Sequence, residues 1–166
     1  MKRILILLAA VVVTLGAAAQ SRIGTVNRSA VLHALPEYSK AQAELQQLAD
    51  AYQQEYAAMQ RDFNNKYAEF QDLSNSDTPA TIRERRIKEL QEMDNKLKEF
   101  RRRSEDDLRL RRDALTAPLQ QTVSGAIAAV AEEQGLDLVL DVSDHPVAYA
   151  GKAVVDITDA VNTSLK

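Results

Sequence analysis

The sequence predicts an α+β fold, mainly helical, in which the two ends of the chain build a small β body and a long antiparallel helical hairpin is inserted between them. Three observations predict it. No glycine occurs between Gly24 and Gly125, and from Glu37 to Ala117 a single proline, Pro79, interrupts the chain. Such a stretch, free of the residues that break helices, fits two long helices. Its apolar residues recur every eleven positions, and segments rich in β-branched residues or alternating in polarity stand on either side of it.

The hairpin tip is expected at 74–79. Leu73-Ser74-Asn75-Ser76-Asp77-Thr78-Pro79 gathers side chains that hydrogen-bond to nearby backbone, with Thr78 as N-cap and Pro79 at the first helical position. At a rise of roughly 1.5 Å per residue, Glu37 to Leu73 spans about 55 Å and Pro79 to Gln134 about 84 Å. On the first helix the apolar positions are Leu45, Leu48, Tyr52, then Tyr56, Met59, Phe63, then Tyr67 and Phe70. Each group repeats the last at eleven residues, a period that keeps one stripe on one face of a nearly straight helix. The return helix repeats Leu97, Leu108, Leu119 and Val130 at the same step, with Ser104 and Arg111 diluting the stripe. A seam this thin should be weakly held, and Pro118 should kink or break the helix near the junction of arm and body.

At the N-terminal end Ser21 to Asn27 reads as a strand, and Ser29 caps a short helix through Leu35 that stops before Pro36. At the other end Gly135 fits the left-handed position that closes a helix. Leu136 to Val142 then alternates around a leucine face, Ser143 to Pro146 is a turn, and Val147 to Ala150 and Ala153 to Val155 are further short strands. Asp156 caps a closing helix through Leu165. The strands from the two ends meet in one sheet. A body of this size, below roughly 70 to 80 residues, is expected to gain stability by oligomerising.

Residues 1–19 read as a cleaved signal peptide: Lys2 and Arg3, an apolar run from Ile4 to Leu15, and Ala17-Ala18-Ala19 before Gln20. The run falls well short of the roughly 20 residues that span a bilayer, which disfavours an uncleaved anchor. The chain has no cysteine, so neither a disulfide scaffold nor a lipidated N-terminal cysteine is expected. Without Lys2 and Arg3 it carries 19 basic against 24 acidic residues, a balance that argues against nucleic acid as a partner. The charge is polarised. Arg83 to Arg112 holds 12 basic and 8 acidic side chains, whereas Asp113 to Lys166 holds 2 and 8.

Five of the eight aromatic residues, Tyr52, Tyr56, Phe63, Tyr67 and Phe70, lie within nineteen positions of the first helix. A stripe at helical spacing usually packs, yet an amphipathic tyrosine edge also suits contact with an unfolded chain. Arg101-Arg102-Arg103 is followed by Glu105-Asp106-Asp107, so each arginine has an acid four residues on and the face should be self-compensated. Arg83, Arg85, Arg86 and Lys88 near the tip are less neutralised, and they are the expected site of weak contact with an anionic membrane surface or anionic polypeptide segments. His33 and His145 stand apart, so no metal site is expected. No cofactor and no enzyme activity are expected either, since neither a phosphate-binding glycine loop nor a nucleophile elbow is present.

Three segments carry a family resemblance. They are Ile23-Gly24-Thr25-Val26-Asn27 with Leu35-Pro36-Glu37 and Ala41-Gln42-Ala43-Glu44-Leu45; Pro118-Leu119 with Ala126-Ile127 and Val130-Ala131; and Leu138-Val139-Leu140-Asp141 with Val147-Ala148-Tyr149 and Asp156-Ile157-Thr158. In this order they resemble the OmpH/Skp family of periplasmic chaperones, over essentially the whole chain after the signal peptide. The resemblance implies a homotrimer, jellyfish-like in form, with a shared β body of 20–36 and 118–166. Ile23, Val26, Leu138, Leu140, Val142 and Tyr149 would build that body, and 37–117 would form each arm. It also implies an ATP-independent holdase in the periplasm, whose partners are unfolded outer-membrane β-barrel proteins. Client contact would fall on Tyr52, Tyr56, Met59, Phe63, Tyr67 and Phe70. The acidic net charge departs from the strongly basic members of that family. The alternative is an envelope coiled-coil adaptor that grips a specific folded partner.

Overall fold

A computed structural model describes residues 21–74, 78–144 and 147–166. The signal peptide expected over 1–19, the centre of the expected tip (75–77) and His145-Pro146 of the expected turn lie outside the described residues. The elements follow in the order β1 (Ile23–Val26), α1 (Arg28–Ala34), α2 (Pro36–Ser74), α3 (Ala80–Glu133), β2 (Leu138–Asp141), β3 (Val155–Asp156) and α4 (Thr158–Ser164). As expected, the ends of the chain meet in one small sheet and two long helices stand between them in sequence.

The sheet has the order β2-β1-β3, and both pairings are parallel. Parallel neighbours need long crossovers, and the helices between β1 and β2 supply one. Gly24 pairs with Val139 on one side and Val155 on the other, and Thr25 pairs with Leu140 and Asp156. A Cβ on Gly24 would come within 2.7 Å of Leu136 Cδ1, so the strand is packed closely there. Beyond the ladder, the Asp137 N–H donates to the Arg22 carbonyl and the Val142 N–H to the Val26 carbonyl, both at 2.9 Å.

The register decides which leucines are inside. Because Val139 lies opposite Gly24, it faces the same side as Gly24 and Val26, and its sequence neighbours face the other. The core is therefore Val26, Val31, Val123, Val130, Ile157 and Val161, with Val139 and Leu136 packed against it. Leu138 and Leu140 are 49% and 45% exposed. This corrects the expected leucine face: the alternation is present, but within one chain the valine side of β2 is the buried one. Val147 to Ala150 is also corrected, since no strand forms among its described residues and Tyr149 is 84% exposed. Its described residues join neither outer edge of the sheet, that of β2 or that of β3. The third strand shrinks to Val155–Asp156 because the preceding residues turn, with the Val154 N–H donating to the Gly151 carbonyl.

Helix ends follow local chemistry, with three corrections. Asn27, not Ser29, caps α1, its Oδ1 accepting the Ala30 N–H at 2.8 Å. The other two free N–H groups of that first turn are met from across the sheet: Ser29 donates to Ser143 Oγ at 2.9 Å and Arg28 to Asp141 Oδ1 at 3.5 Å. Pro36 opens α2, a position where the missing N–H is no loss. Pro79 sits one place earlier than expected, its carbonyl accepting the Arg83 N–H that begins α3. The C-terminal end of α3 is as expected. Gly135 has φ of 60°, its N–H donates to the Glu132 carbonyl and the Leu136 N–H to that of Ala131, the paired bonds of a Schellman motif. For α4 the Asp156 carboxylate accepts the Thr158 N–H and hydroxyl, although the cap position itself is Ile157.

The described chain divides into two compact units. Pro36–Pro118 is one, and the other joins the segment ending at Leu35 to Leu119–Lys166. Pro118 does not break α3, which continues as helix from Ala80 to Glu133. The proline forfeits one bond, the N–H that would reach the Ala114 carbonyl, and the helix on either side outweighs that loss.

Two outcomes test this core. Ile157→Ala should cost about 2 to 5 kcal/mol in denaturant unfolding, since it empties a fully buried site. For Asp141, burial pushes the carboxyl up, but the Ser143 hydroxyl and the Ser143 and Arg28 N–H groups together carry it below its usual value. A lowered carboxyl stabilises the fold above the ordinary carboxylate range of about 4 and loses that contribution as pH falls through the folded value. Asp141→Ala should therefore lower the melting temperature at neutral pH and flatten its decline below about pH 4.

Candidate functional site

Two surfaces carry the residues singled out in the sequence, one in each unit. In the hairpin unit α2 and α3 run antiparallel. Arg111 donates to Glu44, with its Nε at 2.8 Å, and the Tyr52 hydroxyl donates to Asp107 Oδ2 at 2.7 Å. The Tyr52 ring meets Phe100 edge-on with centroids 6.0 Å apart. The bond to Asp107, with some burial, raises the Tyr52 hydroxyl's pKa.

The aromatic stripe is mostly spent on this seam. Tyr52, Tyr56, Met59, Phe63 and Phe70 are half-buried, whereas Tyr67 is 47% exposed. Phe63 and Tyr67, one helical turn apart, lie nearly parallel at 6.3 Å. Ala41 and Leu97 are the buried residues of this unit among those described. The seam leaves open grooves. One of about 440 Å³ lies between Leu45 and Leu108, and another of about 300 Å³ between Met59 and Met93. Ile82, Ile87 and Leu110 on α3 add exposed apolar side chains.

Of the four basic residues near the tip, Arg83, Arg85 and Lys88 are exposed, while Arg86 is half-buried and bonded to Glu89 at 2.7 Å. That bond holds the Glu89 carboxyl below its usual range, aided by Lys66 and Arg85. The Arg101 to Arg103 face is only partly self-compensated, since Arg101 and Arg103 are ion-paired and Arg102 is in no ion pair among the described residues. Arg101 pairs with Glu105 as anticipated; Arg103 turns back to Glu99, Asp106 takes Arg109, and Asp107 takes Tyr52. Glu before Arg at four residues is the better orientation along a helix, which favours Glu99.

The second surface is the outer face of the sheet. Ile23, half-buried, lies beside exposed Leu138, Leu140 follows, and Val142 is half-buried. Val26 faces the other way, into the chain's own core at 2% exposure. Tyr149 stands exposed in the loop between β2 and β3. Among the described residues no group of His, Cys, Asp and Glu is placed to hold a metal, and no helix is long and apolar enough to cross a membrane.

The bonds of Tyr52 to Asp107 and Arg111 to Glu44 were not foreseen from sequence. A signal existed for the second. Folding the chain back about its tip at 74–79 sets Glu44 opposite a position about one helical turn or less from Arg111. Nothing comparable marks Tyr52, whose polar partner is a turn or more from its ring partner.

A family model described as outer membrane protein (OmpH-like) matches residues 22–165. No curated protein matches the chain. Among solved structures it is similar to a crystal structure from Caulobacter crescentus CB15 of an OmpH-like protein proposed to be an outer membrane chaperone. The TM-score is 0.69 and the identity 17%, over 90% of this chain and 86% of that one. At that identity the likeness establishes the fold.

Tyr52 and Tyr67 should separate seam from surface. Tyr52→Ser should lower the thermal midpoint of helix loss followed by circular dichroism. Tyr67→Ser, at an exposed site, should leave that midpoint where it is.

Proposed function

We propose, from the premise that the chain belongs to the OmpH-like outer membrane protein family, that it is an ATP-independent holdase for unfolded outer-membrane proteins in the periplasm. The observation that carries this reading is the outer face of the sheet. The edge strand β2 keeps Leu138 and Leu140 half exposed while a different set of side chains fills the core. An apolar sheet face of this kind favours assembly of several copies, in this reading three, into a shared body. Their hairpins would then bound a cavity.

Holding a chain in such a cavity needs many weak contacts and no shaped pocket. Five of the six candidate residues on α2 are partly used in closing the hairpin, so direct contact falls first to Tyr67, with Ile82, Ile87 and Leu110 exposed on the partner helix. Exposed Arg83, Arg85 and Lys88 supply the weak contact with anionic segments or an anionic membrane surface. Release follows when the client folds into the membrane and withdraws the surface being held. No bond is made or broken, so the work requires no enzyme.

The test is light scattering behind size exclusion on the secreted chain, alone and after a urea-unfolded outer-membrane barrel is diluted into it. A trimer whose mass rises by one client, and which ignores the folded barrel, is the expected result. Leu138→Asp with Leu140→Asp should reduce the mass to that of a monomer and abolish protection. A trimer that lets the client aggregate, or that binds only a folded partner, would overturn the holdase in favour of an adaptor.

A further inference from the structure

Sulfur is scarce in this chain. It has no cysteine and three methionines, which are Met1, Met59 and Met93. The hairpin sets the last two on opposite helices along one groove of about 300 Å³, together with Leu97, Lys66 and Lys96. Both methionines are half-buried, packed enough to close the seam yet open to a small oxidant. Leu97, one turn beyond Met93 on the same helix and lining the same groove, is one of the few buried side chains the hairpin has. Packing alone does not call for sulfur here, since one repeat earlier the position of Met59 is filled by Leu48.

We propose that Met59 and Met93 form a paired, reversible oxidation site that sets how tightly this part of the hairpin is closed. The oxidant is a peroxide. The thioether sulfur attacks one peroxide oxygen, the O–O bond breaks, an S=O bond forms, and the departing oxygen leaves as water after taking up the transferred proton. Each sulfur loses two electrons and each peroxide gains two. The product is polar and accepts hydrogen bonds, so it cannot stay packed against Leu97 without a partner. Lys96, which lines the groove and is in no ion pair among the described residues, offers an ammonium donor that draws the sulfoxide outward, whereas Lys66 is held by Glu69 at 3.4 Å. Two such groups on facing helices unseal the same stretch of seam from both sides, and methionine sulfoxide reductases close it again, the sulfoxide oxygen leaving as water while a dithiol donor is oxidised to its disulfide.

The test treats the assembled protein with hydrogen peroxide, locates the added oxygen by peptide mass, and follows amide exchange before and after incubation with methionine sulfoxide reductases for both epimers. One oxygen on each of Met59 and Met93 is expected, with exchange over 55–66 and 87–98 rising about tenfold and returning on reduction. A Met59→Leu, Met93→Leu protein should show no response to peroxide. Sulfurs that stay unmodified where free methionine is oxidised, or sulfoxides that leave exchange unchanged, overturn the proposal. A consequence for holding rests on the chaperone reading: the oxidised protein should protect more unfolded client, because the opened seam bares Leu97. Equal protection in both states overturns that consequence, whereas a chain that protects no client in either state sinks the chaperone reading and leaves the exchange result intact.

Discussion

Everything in the body depends on β1 being paired on both sides. Four residues, Ile23–Val26, hold β2 and β3 in parallel register, and those partners arrive from more than a hundred residues further along. The entropy of closing so long a loop grows only with the logarithm of its length. For the 115 residues between Arg22 and Asp137 it is about 4 kcal/mol before the constant term. A few ladder bonds and the Val26, Val31, Ile157, Val161 core can offset that. Long-range bonds finish the closure: Asp141 and Ser143, at the exit of β2, satisfy the first N–H groups of α1, and Thr158 Oγ1 accepts the Asn27 N–H at 2.9 Å. The first turn of the helix that follows β1, capped locally by Asn27, thus has its Arg28 and Ser29 N–H groups met only when the far end of the chain has come home.

This dependence also explains what could be read from sequence. The two long helices and the left-handed Gly135 follow from local rules, because glycine, proline and periodicity act within a few residues, and the strand-forming segments at the two ends are legible one by one. The buried side of β2 does not. Leu138 and Leu140 look like the inward face until the pairing of Val139 with Gly24 is known, and that register is a property of two segments more than a hundred residues apart. The cap of α1 was misplaced for a related reason. Ser29 is a good cap by type, but its N–H is met by Ser143, and Asn27 takes the cap position where the strand ends. Pro118 marks a further limit of local reasoning, for a helix of this length absorbs a single lost bond.

The same contrast runs through the candidate surfaces. A stripe such as Tyr52, Tyr56, Met59, Phe63, Tyr67 and Phe70 is legible as a stripe, yet sequence alone leaves open whether it packs or binds. The answer differs along it, because a two-helix seam is narrow: ring contact with Phe100 and the bond to Asp107 claim Tyr52, while Tyr67 stays exposed. Charge behaves likewise. Pairs within one helix, such as Arg101 with Glu105 and Lys98 with Asp94, take up half of the twelve basic residues of α3. Each is exposed, so together they give solubility and little stability.

What holds the hairpin is therefore apolar contact of small extent. Its buried residues among those described are Ala41 and Leu97, against six in the sheet's core cluster. Stability is concentrated in the body and adaptability in the hairpin, and the proposed holding of unfolded chains uses both. A binder of many unrelated chains gains nothing from a rigid pocket, since a pocket selects one shape; it needs exposed side chains on a surface that can yield at low cost. A thin seam yields in this way. Because few contacts close it, a change at one or two of them shifts the whole stretch, which is why the only two methionines beyond the N-terminal residue are well placed to govern it.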